Sequence, residues 1–117
     1  MQKKFDIHDR ILAFVIRILR FIKIIPRTVD YKPLIDQLIR SATSIGANDQ
    51  EADGVSSKRD FLHCYTIVRK EAKETLYWLT LFSELYPELK PRMKLLFQEN
   101  QEIIRIVSSI LKNANKP

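Results

Sequence analysis

Residues 37–79 read QLIRSATSIGANDQEADGVSSKRDFLHCYTIVRKEAKETLYWL, and this stretch decides the fold. Two long segments of mixed polar and apolar residues flank the short break Gly54-Val55-Ser56-Ser57. At about 3.6 residues per turn, the first segment places an apolar stripe beside a polar one. The apolar stripe contains Leu34, Leu38, Ala42, Ile45 and Ala52, and the polar stripe contains Gln37, Arg40, Ser41, Ser44, Asn48 and Glu51. The pattern predicts a helical hairpin with polar residues running beside its core face.

The second arm of the hairpin carries carboxylates next to its own core stripe. If the two helices are antiparallel about Val55, residues whose numbers sum to roughly 110 lie level with one another. Arg40 and Glu71 then form an ion pair in a poorly hydrated place. The polar seam, as we call it, comprises Gln37, Arg40, Ser44, Asn48, Glu51, Glu71, Glu74 and Trp78. It can set helix register or subunit pairing, and a ligand site is the alternative.

Local chemistry predicts where four helices begin and end. Pro26 stops the first helix, and Asp30 is expected to cap the second. Gly54 is expected to end helix two in a left-handed conformation, and Ser57 with Asp60 opens helix three. Prolines 87 and 91 separate helix three from a fourth helix over 91–113, whose inward positions are Met93, Leu96, Asn100, Ile103, Val107, Ile110 and Leu111. Short connections predict an all-α, antiparallel up-down-up-down four-helix bundle.

Length and composition agree with a single helical domain over 1–117. The chain has 117 residues, two glycines and five prolines, which leaves little room for tightly turned sheets. Its one cysteine, Cys64, cannot form an internal disulfide, which favours the reducing cytoplasm.

The first helix has an unusually wide apolar arc. Arg17, Arg20 and Lys23 interrupt residues 11–25, so the segment predicts an amphipathic helix and no membrane span. The arc contains Ile7, Ile11, Leu12, Phe14, Val15, Ile18, Leu19, Phe21, Ile22 and Ile25. We expect Phe14 and Phe21 to lie beyond what one bundle covers, and therefore predict a homo-oligomer.

Positive charge is concentrated at the start of the chain. Residues 1–32 contain eight lysines and arginines against three aspartates, which accounts for most of the net charge of +6. The candidate nucleic-acid contacts are Arg10, Arg17, Arg20, Lys23 and Arg27. Phosphate binding strengthens with the number of such contacts, and an oligomer repeats them. A basic surface that only keeps the helix soluble is the competing interpretation.

Catalytic patterns are weak throughout. A di-iron bundle needs Glu-x-x-His on two helices, whereas Asp60-x-x-His63 stands alone and His8 has no partner at ligand spacing. The serines lack a nearby histidine, and Cys64 falls on the core side of helix three. The sequence predicts no catalytic residue, no metal site and no cofactor, and therefore no enzyme.

Four motifs carry a family resemblance: Gln37-Leu38-x-Arg40-Ser41-x-x-Ser44, Ala47-Asn48-x-x-Glu51-Ala52, Ser57-Lys58-x-Asp60-Phe61 and Lys70-Glu71-Ala72-x-Glu74-Thr75-x-x-Trp78-Leu79. They resemble the small four-helix-bundle proteins encoded in intervening sequences of bacterial 23S ribosomal RNA genes. The resemblance implies a left-handed bundle, assembly into a homopentamer, and no established enzymatic activity. A more distant likeness in fold is to the accessory protein of diversity-generating retroelements, a basic pentameric barrel that works with a reverse transcriptase and nucleic acid. Asp49 departs from the family pattern, which places an apolar or aromatic residue there.

Two functions follow from these observations. The leading hypothesis is an oligomeric scaffold that binds RNA or DNA through the basic first helix. The alternative is a protein-binding adaptor or a purely structural homo-oligomer, which the wide apolar arc and the polar seam favour. Salt dependence separates them, because phosphate binding weakens steeply with salt and apolar association does not.

Overall fold

Four long helices account for most of the chain. The computed structural model describes residues 6–114, apart from the side chain of Val29. Its helices are α1 (Ile7–Ile22), α2 (Lys32–Gly54), α3 (Lys58–Leu85) and α4 (Lys90–Ala114), with short 3₁₀ turns at Val29–Tyr31 and Pro87–Leu89. No strand occurs within residues 6–114, so the predicted all-α class is confirmed.

Side-chain caps fix the starts of two helices. The Asp6 carboxylate accepts a hydrogen bond of 2.9 Å from the backbone N–H of His8 at the start of α1. The Ser57 hydroxyl accepts one of 3.1 Å from the backbone N–H of Asp60 at the start of α3, as the sequence predicts. Each bond satisfies a backbone donor that the helix itself leaves without a partner.

Two predicted boundary residues have other roles. Gly54 is the last residue of α2 and has no positive φ, so its predicted left-handed conformation is wrong. The chain instead leaves α2 through extended backbone at Val55 (φ −84°, ψ 153°), which leads directly to the Ser57 cap. Asp30 lies inside a 3₁₀ turn and does not cap α2, which begins two residues later without a side-chain cap.

The apolar faces of all four helices meet in one core. Its largest members include Phe14, Ile18, Leu38, Tyr65 and Ile103, each at most 2% exposed. Helix α1 contacts α2 and α4, and helix α3 contacts the same two neighbours. The inward positions predicted for α4 are buried except Ile110, which is partly exposed.

The expectation that Phe14 and Phe21 extend beyond the core is wrong, because both are buried, at 0% and 7% exposure. The apolar side chains that α1 leaves exposed are Leu12, Ile16 and Leu19, at 58%, 37% and 37%. Their spacing of four and three residues places them on one flank of the helix. We call these three residues the apolar flank of α1.

Candidate nucleic-acid interface

Arg10, the first of the predicted phosphate contacts, already has a carboxylate partner. Its guanidinium donates to both carboxylate oxygens of Glu99 on α4, through Nε at 2.9 Å and Nη2 at 2.8 Å. This hydrogen-bonded pairing raises the pKa of Arg10. A two-bond ion pair of this kind joins α1 to α4 and neutralises the charge, so Arg10 serves the fold.

Arg17 and Arg20 occupy a different environment. They line a groove between α1 and α4 of about 340 Å³, where Arg92 of α4 faces them. No carboxylate in the described part of the chain lies within ion-pair distance of these three arginines. We call this feature the arginine groove. Its remaining lining is apolar: Phe21, Ile24, Leu95 and Leu96.

The arginine groove combines positive charge with exposed apolar surface. Leu95 is 67% exposed and Ile24 is 38% exposed, whereas Phe21 and Leu96 are buried beneath them. Sequence reasoning missed Arg92, because it lies about 70 positions from α1 in the chain. The signal was available, since α4 carries Arg92 and Leu95 on the flank beside its core stripe.

The other two predicted basic contacts lie elsewhere. Lys23 is exposed at the end of α1. Arg27 lines a separate hollow with Lys32, Ile35 and Ile39. The five predicted residues therefore do not form one continuous stripe, and Lys3 and Lys4 lie outside the described residues.

The polar seam is centred on Arg40. Its Nη1 lies 3.2 Å from Glu71, as the hairpin register predicts, and its Nη2 is hydrogen-bonded to Glu74. Gln37 accepts a third bond of 3.0 Å from Nε of Arg40. The indole N–H of Trp78 donates to Glu74 at 3.0 Å. This bond and the one from Arg40 lower the pKa of Glu74.

The rest of the polar seam is not connected to this network. Asn48 donates to the Ser44 hydroxyl and backbone carbonyl, at 3.2 and 2.9 Å, within α2 itself. Glu51 is exposed, and no hydrogen bond or ion pair links it to the rest of residues 6–114. The side chains of Arg40 and Glu71 are 46% and 10% exposed, so the carboxylate lies in a poorly hydrated place, as the sequence predicts, whereas the guanidinium reaches solvent.

A second polar contact lies deeper between α2 and α3. The hydroxyls of Ser41 and Thr75 are 2.8 Å apart, and both residues are fully buried. The helical pattern places Ser41 on the polar stripe but outside the seam, and it does not indicate the contact with Thr75. Because the pair has no charge, it satisfies two buried polar groups without the desolvation cost of an ion pair.

The buried carboxylate of Asp49 is the least expected feature of the molecule. Asp49 is 1% exposed, and the Tyr65 hydroxyl donates to it at 2.7 Å. Nδ1 of His8 lies 2.9 Å from the same carboxylate, and Nε2 of His8 lies 3.2 Å from Asp53. Hydrogen bonding to Asp49 raises the pKa of His8. Burial, followed by the bond to Asp49, raises the pKa of Tyr65.

The sequence predicts that His8 lacks a partner at metal-ligand spacing, and it does not indicate the contact with Asp49. Asp49 follows Ile45 by four residues and precedes Ala52 by three, which puts it on the core stripe of α2. A carboxylate in such a position needs donors, and the hairpin register places Tyr65 within reach. His8 could not be assigned this way, because the contact depends on how α1 packs against α2.

Two structural features are absent from residues 6–114. Within this range no helix is long and apolar enough to cross a membrane. Over the same residues, no three His, Cys, Asp or Glu side chains are grouped so that they could hold a metal ion.

The fold and the sites together define a class: a small all-α protein with an arginine-lined groove and buried polar pairs between its helices. Sequence comparison then gives the family. The family described as 23S rRNA-intervening sequence protein matches residues 3–109, and the chain belongs to that family.

A solved structure supports the same assignment. The chain is 33% identical to a protein with unknown function from the S23 ribosomal protein family of Bacteroides thetaiotaomicron, known from its crystal structure. The match has a TM-score of 0.84 and covers 92% of this chain and 99% of the other. No curated protein matches the chain.

Proposed function

We propose that this protein is a non-enzymatic, homo-oligomeric scaffold that binds nucleic acid through the arginine groove. The observation that carries the proposal is the convergence of Arg17, Arg20 and Arg92 without carboxylate partners. Elsewhere, carboxylates already engage Arg10, Arg40 and Arg105. The family description, which names an intervening sequence of 23S rRNA, favours an RNA-associated role.

We further infer that the helices run up-down-up-down in a left-handed bundle that assembles as a homopentamer in the cytoplasm. Contacts between α2 and α3 support antiparallel neighbours, because the residue number in α3 rises as the number in α2 falls: Asp49 contacts Tyr65, and Ser41 contacts Thr75. The apolar flank of α1 supplies a surface for self-association. Assembly would repeat the arginine groove and multiply weak phosphate contacts.

Fluorescence anisotropy with labelled structured RNA and duplex DNA tests the binding. We expect affinity to fall steeply as salt rises from about 0.05 to 0.2 M, because phosphate contacts release counterions. Arg17, Arg20 and Arg92 changed together to Gln should weaken binding to unrelated sequences alike, and reduce the salt slope by about 2–3. The matched control changes Arg59, Lys73 and Lys112 to Gln, which removes the same charge from exposed positions outside the groove. Equal losses in both triple variants, or no binding by wild type at low salt, would refute the proposal.

An adaptor that binds protein is the second candidate function. The apolar flank of α1 favours it, because a ridge of three exposed aliphatic side chains is more typical of protein interfaces than of phosphate-binding surfaces. A partner held there would show little salt dependence. It would also remain bound after Arg17, Arg20 and Arg92 are changed to Gln.

A further inference from the structure

We propose that the arginine groove takes single-stranded nucleic acid in preference to a duplex, an inference that rests on the proposed function and specifies its ligand. The juxtaposition that carries it is a set of three unpaired guanidinium groups around an apolar floor. A ligand that offered only phosphate groups would use the positive charges. It would leave the apolar floor of the groove without a role.

The floor is exposed enough to contact a ligand. Leu95 is 67% exposed, more than any other large apolar side chain in the described residues. Ile24, two residues after the end of α1, also lines the groove and is 38% exposed. Leaving these two side chains in water is unfavourable, and covering them with a flat apolar surface removes that cost.

A duplex offers such a surface poorly, because its bases are stacked inside and its exterior is phosphate and sugar. A single strand has free base faces, which lie against apolar side chains and on the planes of arginine guanidinium groups. Arg17, Arg20 and Arg92 therefore have two uses in the same groove. They hold the phosphates and also supply planar cations for bases.

The geometry separates this groove from the rest of the basic surface. Arg27 has Asp36 in the lining of its hollow, and Lys32 is ion-paired to Asp36 there at 2.9 Å. The arginine groove has no acidic residue in its lining. In the arginine groove, three cations without carboxylate partners surround exposed apolar side chains.

The test measures anisotropy of a labelled 12-nucleotide strand without self-complementarity, alone and annealed to its complement, as RNA and as DNA. We expect wild type to bind the single strand about tenfold more tightly, since covering two exposed aliphatic side chains contributes that order of affinity. Leu95→Gln keeps the charge and removes the more exposed of the two aliphatic side chains, so it should lose most of this preference for the single strand and nothing for the duplex. Comparing RNA with DNA strands identifies the sugar that the groove prefers.

Leu85→Gln is the matched control, since Leu85 is exposed at the end of α3 outside the groove and should change neither affinity. Sedimentation must show that each variant assembles as wild type does. Equal affinity for strand and duplex, or equal losses for both in Leu95→Gln, would overturn the inference while leaving nucleic-acid binding intact. Absence of binding to every probe would overturn the proposed function as well.

Discussion

At the scale of single residues, Asp49 shows how a buried charge is accommodated. Tyr65 and His8 both contact its carboxylate, and one of these partners ionises near neutral pH. The two partners therefore contribute in different ways. Tyr65 supplies a neutral donor at every physiological pH, and His8 supplies a charge only when protonated.

Removing the neutral donor should be costly. Tyr65→Phe leaves a buried carboxylate without one hydrogen bond, and we expect it to lower the free energy of unfolding by about 1–3 kcal/mol. Tyr77→Phe is the control, because Tyr77 is 56% exposed and no hydrogen bond ties its hydroxyl to the described residues. Urea unfolding followed by circular dichroism measures both. Equal midpoints for the two variants would contradict the importance of the buried bond.

His8 should make stability depend on pH. Its pKa is raised above 6.5 in the folded protein, chiefly by the bond to Asp49. A histidine whose folded-state pKa is raised stabilises the protein fully below its unfolded-state pKa, and the contribution is lost as pH rises through the folded-state value. We therefore expect the wild-type melting temperature to fall more than that of His8→Gln between about pH 6 and pH 9. Parallel curves for the two proteins would show that His8 does not titrate against Asp49.

At the scale of helices, the Arg40 network joins α2 to α3. The sequence suggests a poorly hydrated pair and a cost on the order of 3 kcal/mol for its loss. Because the Arg40 side chain is 46% exposed, we expect Arg40→Ala to lower the free energy of unfolding by about 1–2 kcal/mol. Arg105→Ala is the control, since Arg105 is exposed and pairs with Glu102 on its own helix, a contact worth about 0.5 kcal/mol or less. Similar small shifts for both variants in thermal denaturation would show that the network does not hold α2 and α3 together.

Gly54 tests where α2 ends. Its φ is not positive, and beyond its chain neighbours and the adjoining helix backbone no atom lies within 4 Å of an added Cβ, so alanine fits there without strain. We expect Gly54→Ala to stabilise the protein by about 0.4–1 kcal/mol, because glycine loses more backbone freedom on folding. Ser56→Ala is the control, because it introduces alanine two residues further on, outside the helices. Calorimetry decides the sign, and destabilisation by Gly54→Ala would support the left-handed turn that the sequence favours.

The residues predicted from sequence are those governed by local periodicity. Helical spacing within one helix or hairpin is enough to predict the core face of α4 and the Ser57 cap. It is also enough to predict that Arg40 lies beside Glu71. The Asp49 contact with His8 and the position of Arg92 opposite Arg17 depend on how separate helices pack. Periodicity gives the direction of each side chain around its own helix. It does not give the partner that another helix brings.

At the scale of the whole molecule, the apolar flank of α1 is the proposed surface for self-association. We expect sedimentation equilibrium to show an oligomer, and a pentamer if the proposed assembly is correct. If the proposed interface is this flank, Leu12, Ile16 and Leu19 changed together to Gln should shift the protein towards monomer, because the variant has less apolar surface to bury on association. Leu95→Gln removes another exposed leucine and should leave the mass unchanged. Dissociation by Leu95→Gln alone would place the interface at the arginine groove instead.

Cys64, the single cysteine of the chain, offers a built-in reporter of opening. Only 5% of the residue is exposed, and burial raises the pKa of its thiol, so the folded state shields it from electrophiles in two ways. A thiol reagent reaches it only when α3 separates from its neighbours. The rate at which a single adduct appears, followed by mass spectrometry, therefore measures the rate of that separation in the wild-type protein. No label has to be introduced, and no second cysteine contributes to the kinetics.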